Sequence, residues 1–147
     1  MTLPGDGEIC GVDETLARGI TSMHLYNGEI TEKLFSGKEV SVNLLSKLSL
    51  ADSVAHFKRD LPRPEQNLIY WGHALLNVGN LLASAAEYKI QNKAFDGKIG
   101  VVYRPTPSNS GHAQIEPKIS TGFARKLTNE VKGRKDIFPD DPGAVWT

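Results

Sequence analysis

The sequence predicts an α+β fold: a small, mainly antiparallel sheet packed with two or three helices in a single domain. Strand-like and helix-like stretches are interspersed without the regular strand–helix–strand rhythm of a doubly wound sheet, and the candidate strands are short. A length of 147 residues matches one domain, and such a chain can bury about two-thirds of its unfolded surface without disulfides or a structural metal.

Taken in order, residues 1–12 read as a loose lead-in, and Thr21–Tyr26 as a short strand ended by the turn dipeptide Asn27-Gly28. Val40–Leu44 alternates and reads as a second strand. Ser49 opens the clearest helix, with Leu50, Val54, Phe57 and Leu61 at helical spacing and Asp52 placed for a capping box; Pro62 and Pro64 stop it. Leu68–Leu76 is apolar and aromatic, the pattern of a buried strand, and a helix follows over Asn80–Gln91, with a start as early as Ala74 also compatible. Asp96-Gly97 is a turn, Lys98–Tyr103 a strand, Pro105–Gly111 a loop on composition, and His112–Glu116 a strand ended by Pro117. Ser120 or Thr121 caps a last helix carrying Phe123, Leu127 and Val131, closed by Gly133. Residues 140–147 form a second loose terminus, in which Trp146 is expected to pack back on the body.

Net charge is zero but unevenly placed: residues 1–32 carry −5 and residues 88–135 carry +7. A positive segment of that kind suits a phosphate-bearing partner, a nucleotide or nucleic acid; the alternative is a solvated face balanced in space by the acidic N-terminal part. Cys10 is the sole cysteine, which excludes an intramolecular disulfide and fits a reducing compartment, the cytoplasm. The N-terminus lacks a basic region and an apolar run, and no stretch approaches the ~18 apolar residues of a membrane span. No membrane partner is therefore expected, whereas a protein partner or a homo-oligomer stays open.

The chemistry-bearing feature is a near-repeat, Gly72-His73-Ala74-Leu75-Leu76 and Gly111-His112-Ala113-Gln114-Ile115. Each histidine follows a glycine, which leaves room for a ligand or a neighbouring backbone. If both lie in one sheet, His73 and His112 form an acid/base pair suited to phosphoester cleavage without a metal. Two-histidine phosphoesterases place Ser or Thr two residues after each histidine; here those positions hold Leu75 and Gln114, a departure from that pattern. Arg104, at the root of the loop that ends at His112, suits an anionic ligand, and Asn109, Asn43 and Arg18 complete the candidate ligand-binding set. Metal-ligand spacing is absent among His24, His56, His73 and His112, and His56 falls off the apolar stripe of its helix, as a surface residue does. Phosphate-loop, dinucleotide-binding and nucleophile-elbow patterns fail, so neither a cofactor nor a metal is expected.

The combination Arg18-Gly19-Ile20, Ser41-Val42-Asn43, Gly72-His73-Ala74 and Pro107-x-Asn109-x-x-His112-Ala113-x-Ile115 resembles a loose group of small bacterial proteins of unassigned function, over roughly residues 16–116. The resemblance implies a bacterial origin and brings no activity with it. Three readings follow. In the first, a small cytoplasmic protein binds a phosphate-bearing ligand, with cleavage as an added step, through His73, His112, Arg104 and Asn109. In the second, a non-catalytic interaction or regulatory protein uses the same histidines as core hydrogen-bonders. In the third, an ADP-ribosyltransferase-like enzyme uses Arg18, the strand Ser41-Val42-Asn43 and Glu116.

Overall fold

In the computed structural model, which describes residues 3–141, the chain is α+β. Its eight strands are β1 (Thr15–Thr21), β2 (Leu25–Tyr26), β3 (Glu29–Ile30), β4 (Val40–Leu44), β5 (Tyr70–Asn77), β6 (Gly100–Tyr103), β7 (His112–Glu116) and β8 (Ile137–Pro139). Its helices are α1 (Leu50–Asp60), α2 (Val78–Gln91) and α3 (Thr121–Gly133), with single 3-10 turns at Ser22–His24, Glu32–Leu34 and Pro64–Gln66. Six strands form one antiparallel sheet in the order β6-β7-β4-β1-β5-β8, and β2 pairs with β3 as a separate ribbon.

The central strand β1 was invisible to an alternation test. Leu16, Ala17 and Ile20 are all fully buried, because helices cover both faces there and a strand buried on both faces loses the in–out pattern. The expected strand Thr21–Tyr26 is instead the exit from β1, a helical turn and the short β2. Asn27 and Gly28, with φ of 51° and 77°, make the left-handed pair that a two-residue hairpin turn requires.

Helix caps follow the sequence closely. Ser49 Oγ accepts from Asp52 N at 3.1 Å and Ser120 Oγ from Phe123 N at 3.4 Å. Asn77 does the same for Asn80 N at 3.2 Å, so α2 starts at Val78 directly after β5. Helices α2 and α3 pack on the face that carries Leu16, Ile20, Val42, Ala74 and Ile115. Phe123, Leu127 and Val131, the apolar stripe of α3, complete that core.

On the other face lies α1, seated on Gly19 of β1. A Cβ at Gly19 would stand 2.4 Å from Leu61 Cδ1 and 3.0 Å from Phe57 Cγ, so the glycine sets how closely the helix approaches the sheet. Gly72 has the same role across β5: a Cβ there would meet the Phe138 carbonyl oxygen at 2.3 Å, so the bare backbone admits β8.

The lead-in pairs with the sheet edge instead of lying free. Gly7 N donates to Tyr103 O at 2.8 Å, Tyr103 N to Glu8 O at 2.8 Å and Cys10 N to Val101 O at 2.9 Å. The charge asymmetry is also partly cancelled in space, since Glu32 meets Arg125 at 3.5 Å, Glu29 meets Lys132 at 3.6 Å and Asp6 meets Arg104 at 3.6 Å. The expected packing of Trp146 lies outside the described residues. Among the described residues no helix is long and apolar enough to cross a membrane.

Candidate functional site

A cavity of about 200 Å³ opens between α1 and the sheet. Its floor is β1 and β4, through Arg18, Gly19, Ser41, Val42 and Asn43. One wall is α1 and the residue that caps it, through His56, Phe57, Asp60 and Leu61, and the other is Asn109 and His112.

Sheet register brings the polar floor together. Asn43 lies directly opposite His112 across β4 and β7, and Ser41 opposite Gln114. These side chains therefore share the face away from α2 and α3, because Val42 and Ala113 between them point into the core. Ser41 and His112 are diagonal neighbours, a separation that a long side chain spans. The imidazole does so: His112 Nε2 is 3.3 Å from Ser41 Oγ.

The second imidazole nitrogen, Nδ1, is 2.8 Å from the Arg104 carbonyl oxygen. A carbonyl only accepts, so Nδ1 carries the proton and donates it. With Nδ1 so engaged, an unprotonated Nε2 presents a lone pair to which the Ser41 hydroxyl donates. Arg104 is itself fixed, by its backbone N–H to His112 O at 3.0 Å and by its guanidinium on Glu116 at 3.1 and 3.2 Å.

A chain of amides orients the next pair. Gly111 N donates to Asn109 Oδ1 at 3.1 Å, which turns the Asn109 amide nitrogen toward Asn43 Oδ1, 2.9 Å away. Asn43 Nδ2 is thereby left buried with no acceptor, although Asn43 is only 1% exposed. An unpaired buried amide costs about 1–3 kcal/mol, a cost that a ligand offering an acceptor would offset.

Arg18 occupies the seam where β1 and β4 part. Their ladder runs through Leu16–Leu44 and Ala17–Asn43, and beyond it Arg18 Nη1 donates to Ser41 O at 2.8 Å and Nε to Leu34 O at 2.9 Å. No carboxylate among the described residues pairs with this guanidinium. Burial alone lowers its pKa to about 10, so it remains a cation at neutral pH. By contrast Asp60 is engaged on both oxygens by Arg59, at 2.7 and 2.8 Å, which holds its carboxyl below the usual carboxylate range. The same Arg59 donates to His56 Nδ1 at 2.8 Å and Ser108 O at 3.2 Å, linking the α1 wall to the loop before His112.

Four of the sequence-predicted residues meet here: Arg18, Asn43, Asn109 and His112. The other two do not. His73 sits on β5, three strands from β7, a separation of about 14 Å at the usual inter-strand spacing. It stacks on Phe138 with ring centroids 5.2 Å apart, and burial lowers its pKa. The expected His73–His112 acid/base pair is therefore absent; the near-repeat reflects two glycines that admit neighbours, β8 at Gly72 and Leu48 at Gly111. The Arg104 side chain faces a different cavity and is neutralised by Glu116 and Asp6, so only its carbonyl serves the site. Glu116 lines that second cavity as well, where it pairs with Arg104, whereas Arg18 and the strand Ser41-Val42-Asn43 line the first.

Sequence reasoning passed over the Ser41 hydroxyl as a partner of His112 and took His56 for a surface residue. Ser41 carried one usable signal, a polar position in alternating Val40–Leu44 next to the polar Asn43. His56 carried none, because it reaches the cavity only through the way α1 lies across Gly19. Among the described residues no three His, Cys, Asp or Glu side chains converge as metal ligands. Comparison with protein-family models, with curated proteins and with solved structures returned no match.

Proposed function

We propose that this is a small cytoplasmic protein that binds a compact phosphate-bearing ligand in the cavity between α1 and the sheet. The observation that carries the reading is Arg18, a guanidinium without a carboxylate counter-ion that lines this cavity beside a buried amide, Asn43 Nδ2, with no acceptor. An anion answers both: it supplies the missing counter-charge, and its oxygens accept from the amide. Volume limits the ligand. About 200 Å³ is below the ~300–1,000 Å³ of drug-sized sites, which favours a phosphomonoester-sized group over a folded RNA.

Thermal melting with increasing inorganic phosphate, and separately with a sugar phosphate, tests this. A ligand that binds the folded state raises Tm by mass action. The expected result is a concentration-dependent rise in the wild type and none in Arg18→Gln or Asn43→Asp. The reading fails if phosphate leaves Tm unchanged, or if Asn43→Asp shows the same rise as the wild type.

A further inference from the structure

We infer that Ser41 and His112 form a nucleophile–base pair that cleaves small carboxylic esters in this cavity. The anionic group that anchors such an ester beside Arg18 is taken from the binding reading above; the covalent step rests on separate geometry.

Two contacts and one unpaired donor carry it. Ser41 Oγ and His112 Nε2 are 3.3 Å apart and both residues line the cavity. His112 Nδ1 is held at 2.8 Å by the Arg104 carbonyl, which fixes the tautomer that leaves Nε2 as the base. A nucleophile, a base within hydrogen-bond reach and a third group orienting that base are the parts that activate a serine. Here a main-chain carbonyl stands where a carboxylate more often does. A fourth requirement, a donor for the developing oxyanion, is met by Asn43 Nδ2, two residues along the same strand face and without an acceptor of its own.

The step balances as follows. Ser41 Oγ attacks the ester carbonyl carbon as its proton passes to Nε2, and the negative charge collects on the former carbonyl oxygen. Collapse breaks the bond to the alcohol oxygen, which takes the proton from Nε2 and leaves, with the acyl group on Ser41. Water then attacks the acyl carbon, gives its proton to Nε2, and the carboxylic acid departs as Ser41 Oγ recovers that proton.

A fluorophosphonate probe reads the first half directly. Ser41 Oγ forms a bond to phosphorus, fluoride leaves and the proton passes to Nε2, so the adduct is a fixed mass increase on the peptide containing Ser41. Peptide mass spectrometry of the intact protein should find that adduct, with no adduct in S41A and labelling slowed about 100-fold or more in H112Q, the scale of a general base. Circular dichroism melts identify any variant that has lost its fold. Hydrolysis of p-nitrophenyl acetate, which carries no anionic group, should fall in parallel. The inference is overturned if folded wild type carries no adduct on Ser41, or if folded H112Q labels at the wild-type rate. Failure of the binding reading looks different: Ser41 would be labelled, but inorganic phosphate would neither raise Tm nor slow the labelling.

Discussion

Asn109 Nδ2 donates to Asn43 Oδ1 at 2.9 Å, and the direction of that one bond decides which group the cavity offers a ligand. Because the Gly111 N–H fixes the Asn109 oxygen, Asn43 can only accept from Asn109 and must keep its own hydrogens unpaired. Replacing Asn109 by Leu removes the donor and leaves the buried Asn43 oxygen without a partner. Asn109→Leu is expected to lower the unfolding free energy by about 1–3 kcal/mol, the cost of an unmet buried polar contact, read from the urea midpoint. An unchanged midpoint would mean that the amide chain does not order the loop before His112.

His73 stands outside the site, and that is directly testable. It stacks on Phe138 and burial opposes its charging, so an apolar replacement keeps the packing and removes the titration. His73→Leu is expected to leave the phosphate-dependent rise in Tm and the labelling of Ser41 unaltered. Loss of either would restore the two-histidine site that the sequence suggested.

Two glycines should differ in how badly they tolerate a methyl group. At Gly19 the new Cβ meets the end of Leu61 and the ring of Phe57, side chains that can shift; at Gly72 it meets the backbone of Phe138 and Pro139, which cannot. Overpacking of a well-filled site costs ~1–3 kcal/mol. Gly19→Ala should fall in that range and also weaken phosphate binding by moving α1, whereas Gly72→Ala should cost more and leave the cavity untouched. Denaturant unfolding gives the order, and an inverted order would contradict the close approach at β8.

Acid should destabilise the fold through His24. Burial first, then the charges of Arg18 and Lys33, lower its pKa to about 3, and its Nδ1 accepts the Thr21 N–H at 3.0 Å. In the unfolded chain the imidazole titrates near ~6.5. Between those values the unfolded chain takes up a proton that the folded one refuses, so stability is complete above the unfolded pKa and falls as pH drops toward 3. Each unit in that window removes about 1.4 kcal/mol for one fully linked proton. His24→Asn keeps an acceptor for Thr21 and removes the titration, so its urea midpoint should decline less steeply from pH 6.5 to 4. Parallel declines would exclude His24 as the source.

Much of the fold was legible because its signals are local. Ser49 and Ser120 announce their helices within four residues, and the alternation of β4 and β7 survives because one face of each meets the core. The central strand β1 was not, since burial of Leu16, Ala17 and Ile20 erases alternation, and β8 is three residues paired through the bare edge of Gly72. For the site, Asn43, Asn109 and His112 stood out as polar residues amid apolar or turn sequence. Pairing His112 with His73 failed because resemblance between two segments carries no information about strand order. Recognising Ser41 needed the register of β4 against β7, a relationship between residues 71 positions apart.

The hydrogen bonds that hold Gly7, Glu8 and Cys10 along β6 also shield one rim of the sheet. Strip them away and the Val101 carbonyl and the Tyr103 amide and carbonyl stand free along an apolar ribbon, which is how chains recruit one another into aggregates. A chain shortened to begin at Gly11 should therefore self-associate in light scattering while the longer form remains dispersed, making this short segment a guard on solubility.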